Sequence, residues 1–339
     1  MIILNKLRSI IILLMIVFCG SCDSKREALG ASNEIRVICS ELDKPVIRDY
    51  LSSIFTDTLF TPEPEPYYYL KFSDPLVYNE LNDQSKVVVA AVARDEGNSG
   101  YQLVKKLLPA NQFKETELGD PVILAKDVNA RNQLFMIINA MSVEQLFATV
   151  ESKKDFIRKQ FYDLFVERQS RYIFGDDRNK KLEDSLKTEF GWSMKIPWGW
   201  TKIKANFDSQ FVWLGAEMPF QWIGIGWEDG NLVDNELEAG EYIWDWPKSH
   251  YGFIQFHDYK FKLNQTPYGN SNAFRADGIW ETINVKEAKG GPFRSYVFYD
   301  ENNDKTYHIN YLIHHPGNDK SIFMRKLDLV VKTFKIEFE

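Results

Sequence analysis

The sequence predicts an α+β fold in two domains behind a secretory leader, and three observations carry that expectation. The first half alternates short apolar strands with helices. The second half is mainly strands separated by turn residues. Between them, from Ser142, runs one long stretch of helical periodicity. The expected organisation is a signal peptide (1–21), a flexible tether (22–33), and a mixed sheet with a long amphipathic helix (34–190). A Trp-rich, mainly antiparallel sheet closed by a helix (191–339) completes it.

The leader is read from its order of charge, apolar residues and small residues. Lys6 and Arg8 precede the apolar run Ser9 to Cys19, and Cys19-Gly20-Ser21-Cys22 closes it. The run is about eleven residues, whereas a spanning helix needs roughly twenty. A Cys directly after Gly-Ser reads as a lipobox, which makes Cys22 the lipidated first residue of the mature chain. Three acyl chains hold a protein far more strongly than one. The expected location is the cell envelope, lipid-anchored at the outer membrane and facing the periplasm. The polar segment Asp23 to Asn33 suits a tether.

In the first domain, Ile35 to Ser40 reads as a strand and Asp43 to Phe55 as a helix with Val46, Leu51 and Phe55 apolar. Pro62-Glu-Pro-Glu-Pro66 reads as an extended linker, because alternate prolines remove backbone donors. Strands follow at Tyr67 to Phe72 and Lys86 to Ala93, the latter apolar on both faces. Gly100 to Leu108 reads as a helix stopped by Pro109, with further strands at Val122 to Lys126 and Gln133 to Asn139. Ser142-Val-Glu-Gln145 fits a capping box. Leu146, Phe147, Val150, Ile157, Phe161, Leu164 and Phe165 then recur at helical spacing to about Tyr172. A second helix carries Leu182, Leu186 and Phe190 and ends at Gly191.

In the second domain Trp192, Met194 and Ile196 alternate up to Pro197-Trp198-Gly199. Strands are expected at Gln210 to Leu214, Gln221 to Trp227, Ile279 to Val285, Phe293 to Asp300 and Thr306 to Ile313. A helix from Lys320 to about Thr333 buries Phe323, Leu327, Val330 and Val331. The formal charge of −7 becomes −9 once Lys6 and Arg8 leave with the signal. That acidic, well-mixed surface argues against nucleic acid as a partner and against a polybasic membrane patch. Cys39, left alone in the mature chain, reads as an inert strand residue.

Several of these stretches resemble a known family. Gly290-Gly-Pro-Phe293 follows Arg275-Ala-Asp-Gly-Ile-Trp-Glu281, with Ile196-Pro-Trp-Gly-Trp200 and Phe211-Val-Trp213 upstream. Pro62-Glu-Pro-Glu-Pro66 and Arg131-Asn132 add weaker matches in the first half. Together they look like the bacterial lipoproteins of domain-of-unknown-function family 4837. The resemblance implies secretion and lipid anchoring and brings no catalytic residues. A Pro-x-Gly-Trp strand start with a closing helix is also similar, in architecture alone, to the PsbP-like group.

All nine tryptophans lie between Trp192 and Trp280. Trp198 and Trp200 flank a turn glycine, so one of them can present its ring to a sugar or an apolar partner. Trp244 and Trp246 sit in Tyr242-Ile-Trp-Asp-Trp-Pro247, read as a loop bounded by acids and proline, where they too are binding candidates. The acids from Glu228 through Asp229, Asp234, Glu236, Glu238, Glu241 and Asp245 suggest calcium or glycosidic acid–base work. Their spacing does not match the EF-hand loop, and carboxylate separation would decide a hydrolytic mechanism. His308 and His314 share one strand face but stand about 20 Å apart along it, too far for one metal. Gly290 and Gly291 read as backbone devices that tolerate positive φ.

No cofactor is implied, and the catalytic residues of any enzyme remain unidentified. The expected role is a non-enzymatic envelope protein whose aromatic domain binds a partner protein or an envelope polymer. The alternatives are a glycan or peptidoglycan hydrolase using acids in 228–245, and a spacer with no ligand.

Overall fold

The computed structural model describes residues 25–60, 63–92 and 95–337, so the signal peptide and Cys22 lie outside the described residues. The first part of the chain holds β1 (Glu34–Ile38), α1 (Lys44–Ile54), β2 (Thr58–Leu59), β3 (Glu65–Pro66) and β4 (Tyr69–Ser73). A 3-10 turn at Pro75–Val77, α2 (Tyr78–Leu81), β5 (Lys86–Val92), α3 (Ser99–Leu107), α4 (Ala110–Leu118), β6 (Val122–Lys126) and β7 (Leu134–Ala140) follow. Then come α5 (Val143–Ile173), α6 (Lys180–Phe190), β8 (Trp192–Ser193), β9 (Thr201–Asn206), β10 (Phe211–Ala216), β11 (Phe220–Asp229) and α7 (Glu236–His250). The chain closes with β12 (Ile254–Tyr268), β13 (Ser271–Thr282), β14 (Gly290–Asp300), β15 (Lys305–His314), α8 (Ser321–Val331) and β16 (Lys335–Ile336). The α+β class expected from the sequence is what the chain adopts.

Two compact units emerge, and their boundary differs from the expected break after Phe190. The first comprises the described residues through Ala31, Arg36–Lys44 and Phe72–Leu146; the second comprises Ser32–Ile35, Pro45–Lys71 and Phe147–Glu339. The physical reason is long-range packing. Tyr50 of α1 bonds Thr149 of α5 at 2.8 Å, and Tyr68 donates to the Phe161 carbonyl at 3.0 Å, which draws these segments into the second unit.

The first unit holds Arg36–Ile38 of β1 and the strands β5, β7 and β6, paired in that order, with β1, β5 and β7 parallel and β6 antiparallel to β7. Every residue of β5 and β7 is buried, as a central strand covered on both faces requires. The Asn98 side chain caps α3 by accepting from the Gly100 and Tyr101 amides. Helix α3 ends at Leu107, before Pro109 as expected, and a further helix that the sequence did not suggest, α4, starts at Ala110 with Pro109 as its N-cap. The expected tether is also shorter than its composition suggests. Ala28 donates to the Arg131 carbonyl, Leu29 to Asp83, and Ser85 to Leu29, so this polar segment is held as an extended strand-like piece.

The second unit is organised on a seven-stranded antiparallel sheet, β12-β13-β14-β15-β11-β10-β9. Strand β15 shows why it has two cores. Tyr307, Ile309, Tyr311 and Ile313 enter one cluster with Leu186 of α6 and Leu327 and Val330 of α8. Leu312, on the other face, joins Ile243 and Trp246 of α7. Half of the expected capping box forms at the start of α5: Gln145 N–H donates to Ser142 Oγ, while Gln145 Oε1 accepts from the Met141 amide, one residue before the cap. Gly191 ends α6 at φ +72. The expected linker is more than a spacer, since Glu65, in β3, accepts from the Lys320 and Ser321 amides and so caps α8. Pro62 lies outside the described residues.

Residues 242–247 are a correction: they are helix, not loop. Asn235 caps α7 through the Leu237 and Glu238 amides, and Glu236 and Glu238 complement the positive end of the helix. Ala239, Ile243, Trp246 and Pro247 recur at helical spacing and are buried, and Pro247 falls in the last turn. Gly290 and Gly291 are a second correction of cause. Neither has positive φ; both lie within β14, where a Cβ on Gly291 would stand 2.0 Å from the Ile313 carbonyl oxygen. The expected strand at Ile279 to Val285 is the end of β13, which stops at Thr282.

Candidate functional site

Two cavities of the second unit collect the sequence-level candidates. The first, 950 Å³, is walled by the turn 197–201, by β10 and the β10–β11 hairpin, and by α8 and the end of α5. Its turn is fixed locally. Pro197 sets one φ and Gly199 takes the left-handed region at φ +79. Asn179, the N-cap of α6, donates its backbone N–H to the Ile196 carbonyl and its side-chain amide to the Trp200 carbonyl, the latter at 3.0 Å. The Ile196 amide in turn donates to Glu183 at 2.8 Å. The turn is thus tied to α6, and it holds Trp198 out with 77% of its surface exposed, while Trp200 is buried.

Facing this turn, the β10–β11 hairpin carries Met218, 93% exposed, and Phe220. The Met218–Pro219 peptide is cis. Gly215 on β10 leaves room for the wall above it: a Cβ there would meet Ile203 Cδ1 at 2.5 Å and Trp222 Cδ1 at 2.8 Å. Of the twenty-two lining residues, Asp177, Thr201, Glu217, Gln221 and Lys326 have strongly polar side chains, and most of the others are apolar. Burial pulls the Lys326 ammonium below its ordinary pKa, and its Nζ lies 5.4 Å from the Tyr172 ring centre.

The second cavity, 760 Å³, lies where α7 meets the start of β10 and the end of β11. It gathers Asp208, Glu228, Asp229, Glu241 and Asp245, with Trp227, Tyr242, Trp246 and His250. Tyr242 donates to Glu228 at 2.7 Å; burial, with the Glu228 contact second, pushes its phenol far above its ordinary value. Trp246 is stacked on His250 at 4.3 Å and meets His308 edge-on at 4.3 Å. Gly224 and Gly226 of β11 seat its ring, since a Cβ at Gly226 would stand 3.0 Å from Nε1. His308 is fully buried with neither ring nitrogen hydrogen-bonded, and burial drives its pKa well below the ordinary value. Burial also lowers His250.

Among the candidates, Trp198 and Trp200 line one cavity together and Trp246 lines the other. Trp244 lines neither and packs on Phe261 at 5.4 Å. Of the acids, Glu228, Asp229, Glu241 and Asp245 share the second cavity, whereas Asp234 and Glu238 are engaged at the start of α7, Asp234 N–H donating to Glu238. Among the described residues no group of three or more His, Cys, Asp or Glu could hold a metal ion. Sequence reasoning missed Ile203, Met218, Phe220 and Trp222 on the first cavity. The apolar pair around Pro219 at a hairpin tip was the available signal.

Comparison with known proteins adds one assignment. Residues 246–333 match the family model Domain of unknown function (DUF4837). That span, about a quarter of the chain, runs from the last turn of α7 through β12 to β15 and α8. It contains Gly290-Gly-Pro-Phe293 and leaves Trp198 outside. No curated protein matches the chain. A crystal structure from Bacteroides thetaiotaomicron VPI-5482 is similar at 10% identity and a TM-score of 0.28, covering 44% of this chain and 46% of that one. The Ran-binding protein Mog1p of Saccharomyces cerevisiae is similar at 9% identity and a TM-score of 0.31, covering 43% of this chain and 90% of that one. This chain thus spans less than half of the first structure.

Proposed function

We propose that this is a lipid-anchored protein of the cell envelope, tethered through Cys22, that binds an apolar segment of a partner protein in the Trp198 cavity. One observation carries the binding site. Trp198 and Met218, two large apolar side chains, stand largely exposed at the mouth of a cavity whose lining is mainly apolar. An envelope polymer is the weaker occupant, because sugars need more hydrogen-bonding side chains than these walls offer. The anchor is supported by the order of charge, apolar run and small residues before Cys22.

A photo-crosslinking residue in place of Trp198, in the full chain in its own membrane, should capture one reproducible protein. Met218→Glu combined with the same probe should abolish the adduct. Equal capture in both, or none in either, refutes the site. Separately, Cys22→Ser should move the protein out of the membrane fraction, and retention there refutes the anchor.

A further inference from the structure

Strand β9 is an open edge. It is the last strand of the seven and pairs with β10 alone, so every second amide and carbonyl along it points away from the sheet. Among the described residues, no main-chain group beyond β10 bonds the main chain of 201–205. Thr201, Lys202, Ile203 and Lys204 are all exposed, which leaves this edge open to solvent. The opposite edge strand, β12, lines neither of the two cavities, whereas β9 borders the larger one through Thr201 and Ile203.

The register gives the two faces of the edge different chemistry. Thr201 stands opposite Gly215, Lys202 opposite Leu214 and Lys204 opposite Trp213, and the shift between the last two leaves Ile203 as an extra residue. Ile203 reaches over bare Gly215, where a Cβ would lie 2.5 Å from its Cδ1, and so lies on the cavity side with Trp213. Lys202 shares the other face with Leu214, where its ammonium meets Glu189 at 2.7 Å. Lys204 has no carboxylate partner among the described residues, and β9 carries no acid. Two copies joined antiparallel through this edge would set these lysines against each other, which disfavours self-pairing. The complement of the edge is a foreign strand in which acids alternate with apolar residues. Its main chain meets the free amides and carbonyls, one face sets an apolar side chain beside Ile203, and the other turns acids toward Lys202. Main-chain bonds then supply affinity, and the cavity supplies selectivity.

We propose that the partner's segment binds as an extended strand added to β9, its apolar side chains alternating with acids. This rests on the Trp198 cavity as the partner site and adds the form and the charge of what occupies it.

Two hexapeptides, acetyl-Glu-Val-Glu-Leu-Glu-Val-amide and its counterpart with Lys in place of Glu, titrated into the full mature chain in phospholipid nanodiscs, test this. The acidic peptide should bind saturably and the basic one about tenfold more weakly, and Lys202→Glu with Lys204→Glu should invert that order. Hydrogen exchange of the 201–206 amides should slow when the acidic peptide binds. A strand offers only alternate amides to its neighbour, so N-methylation of one alternate set in the peptide should abolish binding and of the other should leave it intact. Binding that responds equally to both N-methylated sets, or no slowing at 201–206, overturns the added strand and leaves the Trp198 cavity standing as a site. Absence of saturable binding, or equal binding of the basic peptide, also overturns the proposal, while cross-linking at Trp198 still reports on the cavity by itself.

Discussion

Gly291→Ala is the perturbation for which the structure yields the sharpest number. Gly291 is buried in β14 opposite Trp280 of β13, and an added Cβ would lie 2.0 Å from the backbone oxygen of Ile313. Ordinary contact begins near 3.4 Å, so the strands must part by 1.4 Å (3.4 − 2.0), and the obstacle is main chain that cannot rotate aside. The same oxygen accepts the Trp280 indole N–H at 3.0 Å, in a fully buried position. Overpacking a core costs about 1–3 kcal/mol. Stranding a buried donor adds about 1–3 kcal/mol. The variant should therefore lose roughly 4 kcal/mol. Gly230→Ala is the matched control: its φ is +83 with nothing within 4 Å of a Cβ. Only the backbone cost, about 1–2 kcal/mol, applies there. Urea denaturation followed by tryptophan fluorescence reads both midpoints, at equal slope. A Gly291→Ala midpoint no lower than that of Gly230→Ala would refute the close-approach account of the Gly-Gly-Pro-Phe element.

Asp328 accepts from Tyr311 at 2.6 Å and Tyr296 at 3.0 Å and pairs with Arg294 at 3.1 Å; the attraction of Arg294 and Lys332 outweighs the opposing effect of burial and holds its carboxyl well below the ordinary 3.8. Its stabilisation is complete above that ordinary value and is lost as pH falls below it, and Asp328→Ala should cost about 3–5 kcal/mol at pH 7, measured by urea unfolding. His308 is neutral in the fold, so the unfolded chain binds the extra proton. Stability should fall below pH 6.5 by up to about 1.4 kcal/mol per pH unit from this group alone. His250, lowered in the same direction and stacked on the same Trp246, adds to that slope. His308→Leu should flatten the fall between pH 6.5 and 5 without removing the part due to His250; an unchanged pH profile of the unfolding midpoint refutes this. Trp198→Ala should leave the unfolding free energy within about 0.5 kcal/mol of the parent, because the ring is exposed; a larger loss would mean that it is core.

Elements whose burial follows from their own few residues were legible in the sequence. The continuous apolar run of β5 and the alternation of Tyr307, Ile309, Tyr311 and Ile313 fix their strands and their faces without reference to anything distant. Elements whose environment is set from afar were not. Strand β12 is an edge strand with a register shift between His257 and Lys262, which erases the period-two pattern. The Glu65 cap on α8 spans 255 residues of sequence. Helix α7 was hidden by its acids and Pro247, features that favour loops in general yet here belong to a helix first turn and last turn.

The candidate site divides along the same line, and glycine is the deciding residue. Bare positions on the strands provide seats for large rings: Gly215 for Trp222, Gly224 and Gly226 for Trp246, Gly291 for Trp280. Each of those pairings joins residues brought together only by folding, so a count of tryptophans says nothing about which rings are seated. Trp198 is the exception that its immediate neighbours specify, because Pro197 and Gly199 shape its turn, and none of those glycines has Trp198 against it. A ring that is rigidly displayed and has no seat in its own chain is one that another molecule can cover. For that reason Trp198, and not the remaining tryptophans of this domain, is the residue on which the binding reading stands.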